Sequence, residues 1–139
     1  MKRYVLAVAA LPVMVGVGAA GAATTPSLRA TLTSRAEVPK SGPGGSGSVV
    51  ITLDTTTGQA CWTFTINSLA KILAAHVHQA PRGKSGPVII PLGARFRKTG
   101  CVQTKPKVLK AVLANPSAYY VNVHTRKYVN GAIRGQLHT

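Results

Sequence analysis

Two histidines one residue apart, His76 and His78, are the side chains of this sequence best suited to chemistry, and they stand in the stretch AAHVHQAPRGKSGP. Alternate side chains of a strand project from the same face, so the two imidazoles lie about 7 Å apart while Val77 points the other way. By the same rule His124, in YYVNVHT, projects opposite its valine neighbours. If the two strands are neighbours, three imidazoles converge into a ligand set that suits copper or zinc.

A metal-free interpretation of the same histidines stays open. Neutral imidazole donates a hydrogen bond from one nitrogen and accepts one at the other, so the cluster can instead fix the PRGKSGP loop to the neighbouring strand. Catalysis is the weakest alternative. The two acidic residues, Glu37 and Asp54, stand in no recognisable site, whereas a serine hydrolase needs an orienting carboxylate and a glycosidase needs a carboxylate pair. The sequence therefore favours a non-enzymatic protein.

The second notable feature is charge: 17 lysines and arginines against two acidic residues give a formal net charge of +15. Such a field attracts anions. The basic residues are scattered through predicted loops with no aromatic platform between them, which argues against sequence-specific nucleic-acid binding. An anionic cell-surface polymer or an extracellular protein is the expected partner. The predicted anion contacts are Arg82, Lys84, Arg95, Arg97 and Lys98.

Residues 1–23 have the pattern of a signal peptide. Lys2 and Arg3 precede an apolar run over residues 4–17, and the small residues AAGAA follow. Cleavage after Ala22 or Ala23 would leave an exported domain, residues 24–139, without a transmembrane segment, either secreted or held at the cell envelope. An uncleaved anchor is the alternative, since about 20 apolar residues can span a bilayer, but glycine and alanine dilute this segment.

The two cysteines, Cys61 and Cys101, both lie in the predicted exported part. An even number of cysteines in an oxidising compartment favours one disulfide over two buried free thiols. In the chain-entropy account this bond stabilises the domain by about 3 to 4 kcal/mol.

Alternation of apolar and polar residues predicts short strands along most of the remaining chain. A helix is predicted after Thr104 as its N-cap, with Pro106 in the first turn and an end before Asn115-Pro116. The fold class is therefore all-β, an antiparallel Greek-key sandwich or barrel of seven to eight strands with one short helix. The predicted strands cover 28–34, 48–54, 59–66, a strand ending at 78, 88–92, 101–103, 119–125 and 132–137.

Five blocks of this sequence, in order, resemble the CHRD domain, a family named after chordin and found in many exported bacterial proteins. The resemblance covers residues 28–137 and implies a secreted, compact β domain, which in bacteria often has no assigned activity. The loop after the second histidine departs from the family, because it carries Arg82 and Lys84 where glycine-rich, uncharged loops are usual. The blocks are AEVP (36–39), AAHVHQAPRGKSGPVIIPL (74–92), the step GC (100–101), ANPSAYYVNVHT (114–125) and NGAIRGQL (130–137).

The HVH pattern is also similar to the paired copper-ligand histidines of Cu,Zn superoxide dismutases, which are Greek-key sandwiches. This likeness implies His76 and His78 as copper ligands and His124 as a third. Neither a bridging histidine nor an aspartate placed to bind zinc accompanies them, so dismutase activity is not expected. Two hypotheses follow: an exported, non-enzymatic CHRD module with a basic binding surface, and a copper- or zinc-binding protein.

Overall fold

The computed structural model describes residues 24–42 and 44–139 of the chain. The predicted signal peptide lies outside these residues. In the described part, no helix has both the length and the apolar character needed to cross a membrane. The same part contains eight strands and one α-helix, so the predicted all-β class with one helix is confirmed.

The described elements, in chain order, are β1 (Ser27–Thr33), β2 (Ser46–Asp54), β3 (Gln59–Asn67), β4 (Ile72–Gln79), β5 (Val88–Pro91), β6 (Thr99–Gln103), α1 (Pro106–Ala114), β7 (Tyr119–Thr125) and β8 (Ile133–Gln136), with single 3₁₀ turns at Ser34–Ala36 and Pro116–Ala118.

The eight described strands form one antiparallel sheet in the order β5-β4-β7-β8-β1-β2-β3-β6. The basic connection, residues 92–98, joins the two edge strands. It forms backbone hydrogen bonds on both sides of the gap between them. The Phe96 N–H donates to the Leu73 carbonyl at 2.9 Å, and the Phe64 N–H donates to the Lys98 carbonyl at 2.8 Å. The sheet is therefore a nearly closed barrel.

The barrel interior is filled by alternate residues of the strands, as the period of two predicts. The helix covers one part of it with Leu109 and Val112, which are both buried. Phe96 of the basic connection packs against Phe64 with ring centroids 5.4 Å apart. Fully buried members of this core are Leu28, Leu32, Val49, Ile51, Leu53, Phe64, Ala75, Val77, Ile90, Val121, Val123 and Ile133.

The predicted helix cap and some of the predicted strand bounds are wrong. The helix N-cap is Lys105 and not Thr104, and no side chain caps this end. Thr104 is instead tied to the β2–β3 turn, where its N–H donates to the Gly58 carbonyl at 2.8 Å. Pro106 begins the helix because its fixed φ suits the first helical position and it has no N–H to satisfy. Strands β2 and β6 also begin two residues earlier than predicted, at Ser46 and Thr99.

The predicted disulfide is confirmed at the edge of the sheet formed by β3 and β6. Cys61 and Cys101 are directly opposite each other in the strand register and are bonded, with Cα atoms 4.0 Å apart. Asp54 has a structural role in the neighbouring turn, where its carboxylate accepts hydrogen bonds from the N–H groups of Thr56 and Thr57. This explains why one of the two acids stands outside any site.

The outer face of β4, β7 and β8 carries a second, polar layer. Here Asn122 is 2% exposed and Arg134 is 1% exposed, although neither faces the barrel interior. Three loops, residues 34–42, 80–87 and 126–131, cover these side chains. The loops are linked to one another, since Ser85 Oγ of the second donates to the Val38 carbonyl of the first.

Candidate metal centre

Strand pairing brings the three predicted histidines together on the outer face. Strands β4 and β7 are antiparallel neighbours, with Ala74 opposite His124 and His76 opposite Asn122. The valines between them are buried in the core, so the imidazoles of His76, His78 and His124 emerge on the other side. One nitrogen of each lies within 4.8 Å of the corresponding nitrogens of the other two.

Backbone carbonyls of two covering loops determine which nitrogen of two of these rings carries a hydrogen. His78 Nδ1 lies 2.9 Å from the Gly86 carbonyl, and His124 Nδ1 lies 2.8 Å from the Val129 carbonyl. A carbonyl only accepts, so in both rings Nδ1–H is the donor. When these rings are neutral, Nε2 therefore carries the lone pair in both His78 and His124.

The third ring, His76, faces the second. His76 Nδ1 lies 3.0 Å from His124 Nε2, and with the lone pair of His124 on Nε2 the donor of this hydrogen bond is His76 Nδ1–H. Asn122 Oδ1 also lies close to the same atom, 2.9 Å from His124 Nε2. His124 Nε2 is thus the centre of the cluster.

His78 Nε2 differs from the other nitrogens because it is buried and has no hydrogen-bond partner among the described residues. Burial lowers the pKa of His78, and the hydrogen bond to the Gly86 carbonyl partly opposes this. The side chain of Asn122 is near enough to favour the charged ring without making a hydrogen bond to Nε2. Burial, together with the neighbouring rings, also lowers the pKa of His76, to about 4. At neutral pH His76 is therefore uncharged.

A cavity of about 350 Å³ lies beside His78 and His124. Glu37, which is not among the residues that the sequence predicts for the site, contributes to its wall. The carboxyl group is 4% exposed, and its Oε1 has no hydrogen-bond partner among the described residues. Burial raises the pKa of Glu37 to about 7, against the opposing field of Arg134. The rarity of acids in so basic a chain is the signal that points to this residue.

Tyr120 and Arg134 are the other site neighbours absent from the predicted set. The Tyr120 ring is stacked on His78, with centroids 4.8 Å apart and planes 8° from parallel. The guanidinium carbon of Arg134 lies 3.3 Å from the centre of the same ring. Tyr120 therefore lies in contact with both a candidate ligand and a buried cation.

The five predicted anion contacts fall into two groups. Arg82 and Lys84 lie in the loop after β4, whereas the other three lie in the basic connection, whose Phe96 bonds to Leu73 near the start of β4. The length of that strand separates the groups by about 20 Å, at about 3.3 Å per residue. The side chains of Arg82, Lys84, Arg95, Arg97 and Lys98 are all exposed.

These features define the class of the protein as a nearly closed antiparallel β-barrel domain with a polar layer and a three-histidine cluster on its outer face. The family model of the CHRD domain matches residues 28–137, and the chain belongs to this family. Neither the curated proteins nor the solved structures contain a match to the chain.

Proposed function

We propose that this CHRD-domain protein binds a copper or zinc ion through His76, His78 and His124. The observation that carries the proposal is the buried Nε2 of His78, which has no hydrogen-bond partner among the described residues, in a cluster where one nitrogen of each histidine lies within 4.8 Å of the others. A buried polar nitrogen without a partner costs free energy, and a metal ion would remove that cost.

The donor set suits such an ion. Carbonyl groups that accept from the Nδ1–H of ligating histidines are typical outer partners of metal sites, since they fix the ring and its tautomer. In a tetrahedral site with metal–nitrogen distances near 2.05 Å, ligand nitrogens are about 3.4 Å apart. The His76–His124 pair at 3.0 Å would open slightly, and the widest gap, within 4.8 Å, would close by a little over 1 Å. Side-chain rotations alone supply movements of this size.

The metal-free interpretation explains less of the geometry. Hydrogen bonds from His78 to Gly86 and from His124 to Val129 would fix the covering loops without a metal. They involve only the Nδ1 atoms, however, and leave His78 Nε2 unexplained. The two interpretations differ in one measurable property, which is stoichiometric metal binding.

The test is calorimetric titration of the purified protein with Cu²⁺ and with Zn²⁺ at neutral pH. We expect one ion per chain in the wild type and no stoichiometric binding after joint replacement of His76, His78 and His124 by alanine. His138→Ala is the matched control, because this exposed histidine lies outside the cluster and its loss should leave binding unchanged. Retained stoichiometry in the triple variant would refute the site.

Nitrogen hyperfine structure in the Cu²⁺ electron paramagnetic resonance spectrum gives a second readout. Imidazole coordination predicts splitting from directly bound nitrogens, and each single histidine variant should simplify it. A spectrum identical in wild type and triple variant would contradict the assignment even if some copper is retained.

A second candidate function is favoured by the surface charge: an exported, non-enzymatic module that binds an anionic polymer at the cell envelope or outside the cell. Residues 24–139 retain 15 of the 17 basic side chains beside Glu37 and Asp54, a formal charge of +13. Export rests on the leader pattern of residues 1–23. Mass determination of the protein from culture medium and cell envelope tests it, with a mature N-terminus at residue 23 or 24 as the expected result.

Elution from an immobilised anionic polymer by a salt gradient tests the binding part of this second function. Neutralising Arg95, Arg97 and Lys98 with glutamine should shift elution to clearly lower salt, because exposed charges act through a screened field. The matched control neutralises Lys105, Lys107 and Lys110, which are equally exposed and remove the same charge. Equal shifts would show that only net charge matters, and retention independent of salt would refute the electrostatic contact.

A further inference from the structure

A second cavity, of about 320 Å³, lies on the outer face between β1, β8 and the loop after β4. Arg134 and Gln136 of β8, Thr31 and Thr33 of β1, and Arg82 of the loop contribute to its wall. None of the described residues that line this cavity has a carboxylate side chain. The cavity is therefore lined by two arginines and two threonines without an acidic side chain among the described lining residues.

Arg134 is held rigidly in this wall. Its Nη2 donates to the Pro81 carbonyl at 3.1 Å and to Gln136 Oε1 at 3.3 Å, and its guanidinium lies against the Tyr120 ring. All hydrogen bonds that described residues make with the Arg134 side chain use Nη2. Its Nη1 and Nε donors therefore have no protein acceptor in that part of the chain.

The positive charge of Arg134 is poorly compensated within the protein. Burial lowers the pKa of Arg134, Tyr120 and Glu37 oppose this, and the nearby Arg82 adds to the lowering. The pKa of Glu37 is itself raised to about 7, so near neutral pH its carboxyl group is only about half ionised. A buried cation without a full countercharge is costly, and an external anion would remove part of this cost.

We propose that the cavity walled by Arg82, Arg134, Thr31 and Thr33 is a binding site for one tetrahedral oxyanion, a phosphate or sulfate group. Planar guanidinium groups donate in pairs to such anions, and threonine hydroxyls rotate to donate to the remaining oxygens. The proposal deepens the second candidate function, because it names the one group of an anionic partner that the protein holds in a pocket. It does not depend on the metal site.

Titration of the purified, ¹⁵N-labelled protein with inorganic phosphate and with inorganic sulfate, followed by nuclear magnetic resonance, tests the site. We expect saturable shifts at the amides of residues 31–33 and 134–136, with a dissociation constant on the order of 1 mM. Absence of saturable shifts at these positions would overturn the proposal.

Arg82→Gln is the informative variant because its side chain is exposed and its loss should leave the fold intact. We expect it to weaken phosphate binding by roughly fivefold, the loss of one charge-assisted contact. Lys84→Gln is the matched control, which removes the same charge from the same loop at a residue that does not line the cavity. Equal weakening by the two variants would show that a general surface field acts, and it would overturn the pocket.

Arg134→Lys tests the buried guanidinium while retaining its charge. We expect binding to weaken by about tenfold, because an ammonium group lacks the paired donors. If this variant fails to fold, Thr33→Val takes its place, since it removes one hydroxyl without changing the shape of the side chain. Unchanged phosphate affinity in whichever of these variants folds would contradict the proposed contacts.

Retention on immobilised polyphosphate distinguishes a phosphate group carried by a polymer from a free phosphate ion. It also distinguishes the pocket proposal from the second candidate function. If Arg82→Gln lowers the eluting salt concentration more than Lys84→Gln does, the pocket holds a phosphate group carried by a polymer. Saturable binding of inorganic phosphate without such a difference assigns the pocket to the free ion. Polymer retention that falls equally in both variants, with no binding of the free ion, preserves the second candidate function and refutes the pocket.

Discussion

The inner and outer faces of strands β4 and β7 are both covered, but different parts of the chain cover them. The inner face carries Ala75, Val77, Val121 and Val123, which are at most 1% exposed and pack against other strands of the same sheet. The outer face carries histidine, asparagine and tyrosine and is covered by loops. The inner face is therefore stabilised by apolar burial and shape, and the outer face by hydrogen bonds and charge.

This difference predicts how the stability of each face responds to substitutions, to pH and to bound ions. Core stability should depend on side-chain volume and little on pH between 5 and 8, since the core of the described residues contains no histidine and no carboxylate. Stability of the outer layer should depend on protonation and on bound ions, because its polar groups are buried and some of them lack partners. The following variants test this contrast, from the largest expected effect to the smallest.

Phe64→Ala should give the largest loss. Phe64 is 0% exposed, and removal of its ring leaves a cavity in the barrel core. We expect the free energy of unfolding to fall by about 4 kcal/mol, equally at pH 5 and pH 8, as measured by urea denaturation. Thr63→Ala is the control, because the neighbouring side chain is exposed and should cost less than about 0.5 kcal/mol. Similar losses in the two variants would contradict the assignment of the inner face as the core.

Joint replacement of Cys61 and Cys101 by alanine should have the next largest effect. The bond closes a loop across a sequence separation of 40, and its loss should lower the free energy of unfolding by about 3 kcal/mol. Neither the histidine cluster nor the cavity proposed for phosphate includes a described residue of β3 or β6, so metal and phosphate binding should not change. Chemical reduction of the wild type should reproduce the loss, and unchanged stability would show that the bond constrains little.

The sequence predicts the inner face well because a local rule determines it. Alternation in LRATL, VVITL and CWTFT indicates both the strands and the residues that point inward. The disulfide is also predictable, since only two cysteines exist. Convergence of His76, His78 and His124 follows from the same parity once β4 and β7 are neighbours.

The outer layer is harder to predict because loops bring its members together. Glu37 follows a 3₁₀ turn some forty residues before His78, and no local pattern indicates that the two line one cavity. Arg134 lies in a short strand where an outward position normally indicates exposure, yet the loop at Pro81 and the Tyr120 ring bury it. The choice of Thr104 as helix cap is wrong for a similar reason, since a contact with the distant Gly58 carbonyl engages it.

Glu37→Gln should change the pH dependence of stability. Burial raises the folded-state pKa of Glu37 from 4.5 to about 7. The folded state therefore keeps a proton that the unfolded state releases, so this contribution to stability is complete below about pH 4.5 and is lost as pH rises through about 7. At pH 8 the variant should be more stable than the wild type by about 2 to 3 kcal/mol, because glutamine carries no charge that must be buried.

The difference between Glu37→Gln and wild type is the readout, because the histidines act with the opposite sign. Their lowered pKa values make stability rise with pH up to about 6.5, and this contribution is common to both proteins. Asp54→Asn is the matched control. The pKa of Asp54 is lowered by its hydrogen bonds in the turn, so it stays ionised from pH 5 to pH 8 and its loss should give a parallel profile. A parallel profile for Glu37→Gln would refute the raised pKa.

Tyr119→Phe and Tyr120→Phe give the smallest effect and the closest comparison of the two faces, since adjacent residues of the same type point to opposite sides of β7. The Tyr120 hydroxyl accepts a hydrogen bond from the Gly86 N–H at 3.3 Å, and no described residue makes a hydrogen bond with the Tyr119 hydroxyl. Tyr120→Phe should therefore lower the free energy of unfolding by about 0.5 to 1 kcal/mol, and Tyr119→Phe should not change it measurably. Because Gly86 also accepts from His78, the Tyr120 variant should speed amide exchange at Gly86 while leaving the core amides unchanged. If Tyr119→Phe lowered the free energy of unfolding more than Tyr120→Phe does, the loop hydrogen bonds would stabilise the outer face less than we propose.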